Sequence, residues 1–426
     1  AVHPEHGGYV YFTSARPAHY RVYSAPNQAM WCCVGTGMEN PGKYGEFIYT
    51  HTGDSLFVNL FIASRLEWKE EGLGLTQETQ FPAEEGSRIT VSLDAPKRFK
   101  MLVRHPGWVK TGEMQAICGE TDYAKGSEAS SYVCIDREWK NGDVIEIRTP
   151  MRVTLEEFPN LPEYVAILRG PIVLGARMGT ENLDGLVADD SRWGHIASGP
   201  LVPVYDTPFL IGEREEILAK LKGMKPVEGK PLHYTIPGLF RSDKYKDLEL
   251  EPFYGIHDSR YSIYWLSMDE TGYERYQKER KAEEEARITL DLRTVDAIAP
   301  GEQQPEADHL MKSEKSTKGN SHGRSWRDAR DGGYFSYVLS TEGKSGLTLR
   351  TTYWGNENGN REFDILIDGK TLATENLTGK WKKQTFIDVE YPIPADMLKG
   401  KKEVTLTFRP KPGNTAGGVF YIRLVE

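Results

Sequence analysis

Cys32 and Cys33 are adjacent, and Cys118 and Cys134 complete the chain's four cysteines. Neighbouring cysteines rarely bridge each other, because the small ring they would close is strained. A pair set between Trp31 and a Gly-rich helix start therefore points to thiolate chemistry or metal ligation. A helix N-terminus favours both by lowering a thiol's pKa. The plainer reading is two buried thiols packing as small hydrophobes, since a zinc site needs four ligands and usually draws on a second cluster. Cys118 and Cys134 fall on neighbouring predicted strands. They could form a cross-strand disulfide in an oxidising compartment, or remain two unrelated buried thiols.

Other constellations are weaker. A carboxylate pair of glycosidase type cannot be picked out from 62 acidic residues. Glu5, Glu39 and Glu46 lie nearest the cysteine pair, and a solvated helix face accounts for Glu39 and Glu46. The ten histidines show no H-x-x-x-H spacing. Gly332-Gly333 and Gly417-Gly418 sit in β context and read as turns, not phosphate loops. Toward the C-terminus, Trp326, Tyr334, Trp354 and Trp381, with Arg327, Arg330 and Arg361, could line a sugar-binding face. Of these, Trp326, Tyr334, Trp354 and Arg361 are the candidate carbohydrate contacts. Alternating core aromatics explain Tyr334 and Trp354 equally well.

The elements that must position these residues are mostly strands. The 426 residues exceed what one core usually organises, so several domains are expected. A 38% hydrophobic and 27% charged composition is too apolar for a disordered chain and too charged for a membrane protein. A net charge of −9 argues against a nucleic-acid partner, and no window approaches the roughly 18 apolar residues of a spanning helix. The opening Ala1-Val2-His3-Pro4 shows no signal peptide, and the chain reads as entering in mid-structure.

Residues 9–12 and 19–23 form a hairpin-like pattern, and 33–49 read as a helix weakened by Gly37, Pro41 and Gly42. Short runs at 55–63, 88–93, 98–103, 115–118, 131–135 and 144–149 have the partial alternation of a β-sandwich. Strands are expected at 164–168, 172–174 and 261–265, with a short helix at 214–222. The charged run 271–286 reads as a solvated connecting helix. Beyond 288, runs at 334–339, 347–353, 362–367, 385–389, 404–408 and 419–425 suit a jelly roll. The expected fold class is mainly β. Its domains divide as 1–53 (hairpin and helix), 54–178 (β-sandwich), 179–287 (irregular α+β with the charged helix) and 288–426 (jelly-roll-like β-sandwich).

The run from Ser24-Ala25-Pro26-Asn27 through Trp31-Cys32-Cys33-Val34-Gly35-Thr36-Gly37-Met38-Glu39 resembles the double-cysteine segment of glycoside hydrolase family 127, the bacterial β-L-arabinofuranosidases. Lys43 to Tyr49, Asp54 to Phe61 and Arg169-Gly170-Pro171-Ile172-Val173 continue the likeness. The run 299–309 is similar to a C-terminal domain appended in many Bacteroidetes members. The resemblance implies an (α/α)6 barrel followed by β-sandwiches, of which this chain would keep the last hairpin and helix. It implies retaining hydrolysis with a zinc-bound cysteine nucleophile and a glutamate acid/base, the zinc held by three cysteines and a glutamate. By that resemblance Cys32 and Cys33 are zinc ligands and one of them is the nucleophile, the motif leaving the order open; Cys32 is taken as the nucleophile.

The third cysteine and both glutamates of the family pattern belong upstream of the pair, where only 31 residues stand. The expectation is a C-terminal portion of such an enzyme, inert by itself, holding zinc incompletely or not at all. Its partners would be the missing helical barrel and plant-derived oligosaccharide or polysaccharide, with terminal L-arabinofuranose or a related sugar as substrate. The resemblance places the protein in the periplasm or outside the cell. The alternative is a non-catalytic carbohydrate-binding or scaffold β-sandwich.

Overall fold

The structure is a computed structural model and describes residues 2–29, 31–188, 194–242, 244–245 and 248–426. The chain is mainly β and divides into two compact units, Ala1–Glu284 and Glu285–Glu426.

In the first unit, helix α1 (Cys32–Ile48) leads directly into a pair of sheets. One has the order Tyr49–Thr52, Ser55–Val58, Lys97–His105, Ser131–Trp139, with a parallel pairing of the middle two. The other runs Ser64–Trp68, Leu73–Thr79, Gly86–Leu93, Val144–Arg148, Gln115–Cys118, Thr121–Asp122. Period-2 alternation decides the packing: Ile89, Val91 and Leu93 point inward while Arg88 and Ser92 face solvent. They meet Val58, Met101, Val103, Ile135 and Trp139 in one core. The Trp139 indole N–H is satisfied there by the Phe99 carbonyl at 3.0 Å.

A third sheet spans residues 153–268 around Val165, Ile167, Leu174, Leu210 and Trp265. Helix α2 (Arg214–Lys222) covers it with Ile217 and Leu221. Helix α3 (Glu270–Arg293) buries only Glu284, as its lack of an apolar stripe predicts, but runs longer than expected.

The 9–23 stretch is a correction. The expected antiparallel pairing of its two runs is reduced to a single bridge, Val10 to Tyr23, while His19 bridges to Tyr261 and Tyr23 to Val187. Its backbone groups find more distant partners: the Tyr261 N–H donates to the His19 carbonyl at 2.7 Å, and Arg260 Nη1 to the Ala18 carbonyl at 3.0 Å.

In the second unit the 17-residue strand Arg324–Ser340 pairs with Glu403–Pro410 along one part and with Ala416–Val425 along another. Phe335, Tyr337, Leu349, Tyr353, Phe363, Phe408 and Ile422 fill the core. Both glycine pairs lie inside strands, correcting the expectation of turns. Gly417 falls at a register shift between two strands, where an added Cβ would sit 2.8 Å from the Arg327 carbonyl oxygen. A Cβ on Gly333 would overlap the Glu314 carbonyl.

Candidate functional site

Cys32 and Cys33 open α1, whose sequence carries Gly35, Gly37, Pro41, Gly42 and Gly45. Gly37 has a local cause, since a Cβ there would overlap the Tyr9 ring. Of the whole helix only Ile48 is buried; Met38, Tyr44 and Phe47 are exposed. The segment ahead of it is anchored firmly. Tyr20, Val22 and Tyr23 are buried, the Tyr20 hydroxyl donates to the Asp184 carbonyl at 2.6 Å, and His3 Nε2 lies 2.8 Å from Asp258 Oδ2.

Around the pair gather aromatic rings from three stretches of chain. The His195 ring is 4.6 Å from that of Tyr11, 5.3 Å from Phe12 and 5.4 Å from Trp31, centroid to centroid. Cys32 is exposed, and its charge raises the pKa of the Tyr11 hydroxyl. Cys33 is half-buried. Burial pushes its thiol up and Cys32 adds to that, while the N–H groups of Cys33 and Val34 pull it back by less. The helix start therefore does not deliver the lowered thiol pKa expected for Cys33.

The residues present do not fit a zinc ion. Among the described residues no group of three or more His, Cys, Asp or Glu is placed to hold a metal. Glu39 and Glu46 stand exposed on α1. Cys118 and Cys134 do not form the cross-strand pair considered for them. Cys118 lies buried on the six-stranded sheet, Cys134 points outward from the four-stranded one, and both are free thiols.

The C-terminal candidates separate. Trp326, Trp354 and Arg361 line one cavity of about 370 Å³ with Asn320, Ser321, Asp328, Glu357, Gly418 and Phe420. Tyr334 is not among its walls; it lies further along the same strand as Trp326, opposite Glu314. Arg327 turns inward to a buried ion pair with Glu306, with contacts of 2.5 and 2.7 Å. Sequence reasoning missed Glu357 and Asp328. The legible signal for Glu357 was its place between Trp354 and Arg361 in the turn Gly355-Asn356-Glu357-Asn358-Gly359-Asn360. His195 had none, being brought to Tyr11, Phe12 and Trp31 only by folding.

Other cavities, of about 520, 910 and 670 Å³, lie in the first unit. Prominent charges in them are already paired, Arg169 with Glu85 at 2.8 Å and Arg88 with Glu146 at 2.6 Å.

Four family models match in succession. Residues 1–46 match the β-L-arabinofuranosidase GH127 catalytic domain and 55–151 the GH127 middle domain. Residues 154–267 match a domain of unknown function, and 289–425 a family of unknown function. No curated protein matches. Among solved structures, one similar chain is a GH127 β-L-arabinofuranosidase from Geobacillus stearothermophilus T6, at 20% identity over 58% of this chain and 39% of that one, with a TM-score of 0.40. Another is a GH127 β-arabinofuranosidase, at 18% identity over 61% and 42%, with a TM-score of 0.42. A family 35 carbohydrate-binding module from Clostridium thermocellum aligns with 30% of this chain and 96% of its own length, at 10% identity and a TM-score of 0.23. The chain spans about two fifths of the length of the two arabinofuranosidase structures. Consecutive stretches, the cysteine segment and the sheet pair after it, thus match the catalytic- and middle-domain models of one enzyme family, and over residues 1–46 and 55–151 the chain is glycoside hydrolase family 127-like.

Proposed function

We propose that these residues are the cysteine-bearing and β-rich portion of a retaining glycosidase acting on terminal L-arabinofuranose, or a related sugar, of plant glycans. The observation that carries this is Cys32 and Cys33 opening α1 within the segment matched to the catalytic-domain model. A retaining glycosidase needs a nucleophile and an acid/base. Cys32 is the nucleophile in this reading, being the exposed thiol of the pair. In this reading the acid/base and the remaining zinc donors are supplied from outside these residues. The 426 residues alone are then inert. The reading places the protein in the periplasm or outside the cell; among the described residues no helix is long and apolar enough to cross a membrane.

Zinc per chain, measured by elemental analysis after gel filtration, tests the division of the site. We expect well below one zinc per chain, with Cys32 open to a thiol reagent. One zinc per chain, lost in Cys32→Ser, would mean that a full donor set sits within these residues.

A second reading, in which residues 285–426 bind glycan without taking part in catalysis, is favoured by the cavity of Trp326, Trp354 and Arg361.

A further inference from the structure

The cavity in the second unit is walled by four strands, one of them Thr348–Trp354, and a turn. Trp326 and Asp328 come from Arg324–Ser340, Asn320 and Ser321 from Lys312–Ser321, Phe420 from Ala416–Val425, and Glu357 from the turn after Trp354. The aromatic walls are braced. His322 stacks on Trp354 at 3.8 Å, Phe386 meets Trp354 edge-on at 5.1 Å, and a Cβ on Gly319 would sit 2.7 Å from the Trp326 ring.

The polar groups are unevenly used. Asp328 Oδ1 accepts from the Thr317 hydroxyl at 2.5 Å, and its Oδ2 lies 3.4 Å from Arg361 Nη1. Arg361 also donates to the Gly417 carbonyl at 3.2 Å. Glu357 is only 13% exposed, yet its carboxylate accepts no hydrogen bond among the described residues, and its nearest cation is Arg361 Nε at 3.4 Å. Burial raises its pKa, Arg361 opposes that and Asp328 adds to it. A carboxyl so little exposed and without a protein donor is open to a ligand's hydroxyls. The indole N–H groups of Trp326 and Trp354 likewise have no protein acceptor among the described residues. Two carboxyls face one guanidinium, so the site repels anions.

We propose that this cavity binds an uncharged sugar residue, its C–H face against the indoles and its hydroxyls on Glu357 and Asn320, and that Glu357 and Asp328 turn away uronic acids. The inference rests on the reading of residues 285–426 as glycan-binding and narrows it to neutral sugars. The volume falls at the lower end of the roughly 300–1,000 Å³ typical of ligand pockets, which suits one or two sugar rings.

Affinity electrophoresis of the 426-residue chain in gels containing arabinan, xylan or polygalacturonate tests it. We expect retardation by a neutral glycan and none by polygalacturonate. Trp354→Ala should weaken the retardation at least about 10-fold, as loss of a central aromatic anchor does. Glu357→Gln should weaken it several-fold and narrow the discrimination against polygalacturonate. Asn320→Ala, at an exposed hairpin position, is the second variant should Trp354→Ala lower the melting midpoint. Retardation by polygalacturonate alone would overturn the neutral-sugar inference and leave the glycan-binding reading standing. No retardation by any of the three would overturn both. Neutral-glycan retardation unchanged in Trp354→Ala and Asn320→Ala would place binding elsewhere and overturn the assignment of this cavity.

Discussion

Glu306 shows how one buried side chain holds the C-terminal cavity in register. It is 3% exposed, receives two contacts from Arg327, and accepts from the Tyr337 hydroxyl at 2.9 Å and the Gly301 N–H at 2.8 Å. Arg327 stands between Trp326 and Asp328, so the pair fixes the stretch of strand that carries both. Removing one partner of a buried ion pair strands the other charge, at a cost of about 3–5 kcal/mol. We expect Glu306→Ala to lose about that much stability in urea unfolding; a loss below about 1 kcal/mol would show the pair to be dispensable. The pH dependence follows from the same contacts. Burial alone would raise the Glu306 carboxyl, but hydrogen bonds from Arg327, Gly301 and Tyr337 outweigh it and hold the carboxyl below its usual range. Its stabilisation is therefore present above the ordinary carboxyl pKa and is lost as pH falls through the lower folded value.

At the scale of elements, α1 and the strands beside it are opposites. Four glycines and Pro41 leave α1 with poor intrinsic helicity, and burial of Ile48 alone supplies little packing to offset it. Strand Gly86–Leu93 is paired on both sides and buries Ile89, Val91 and Leu93. Native-state hydrogen exchange should find the α1 amides exchanging at least about 100-fold faster than those of Gly86–Leu93, because only the latter need wide unfolding to open. Equal protection would mean that α1 is covered on a face left exposed here. The same contrast governs what the sequence reveals. Residues 362–367 and 214–222 were legible to the residue, because alternation and a charged amphipathic stretch mark them. Leu73–Thr79 was not, because the third inward position is Gln77, a polar residue whose Nε2 donates to the Leu60 and Ile62 carbonyls at 3.1 and 2.9 Å. Lys312–Ser321 is polar on both faces and gave no period, although it supplies Asn320 and Ser321 to the cavity. The cysteine pair could be read because it is contiguous. Its aromatic surround could not, since Tyr11 and His195 meet only through the fold.

At the scale of the whole molecule, the cysteine pair and the Trp-lined cavity belong to different compact units. The account assigns them different work: Cys32 to bond cleavage together with donors outside these residues, the cavity to holding neutral glycan. The first assignment is the central one, and it concerns turnover. The most direct measurement is release of 4-nitrophenol from 4-nitrophenyl β-L-arabinofuranoside, with zinc supplied, by this chain fused behind the helical barrel of a family 127 arabinofuranosidase. We expect release by the folded fusion and none by the 426 residues alone. Cys32→Ala should lower the release by about 10⁴-fold or more, as loss of a nucleophile does. A folded, zinc-bearing fusion that releases nothing, or release that survives Cys32→Ala, would contradict the account.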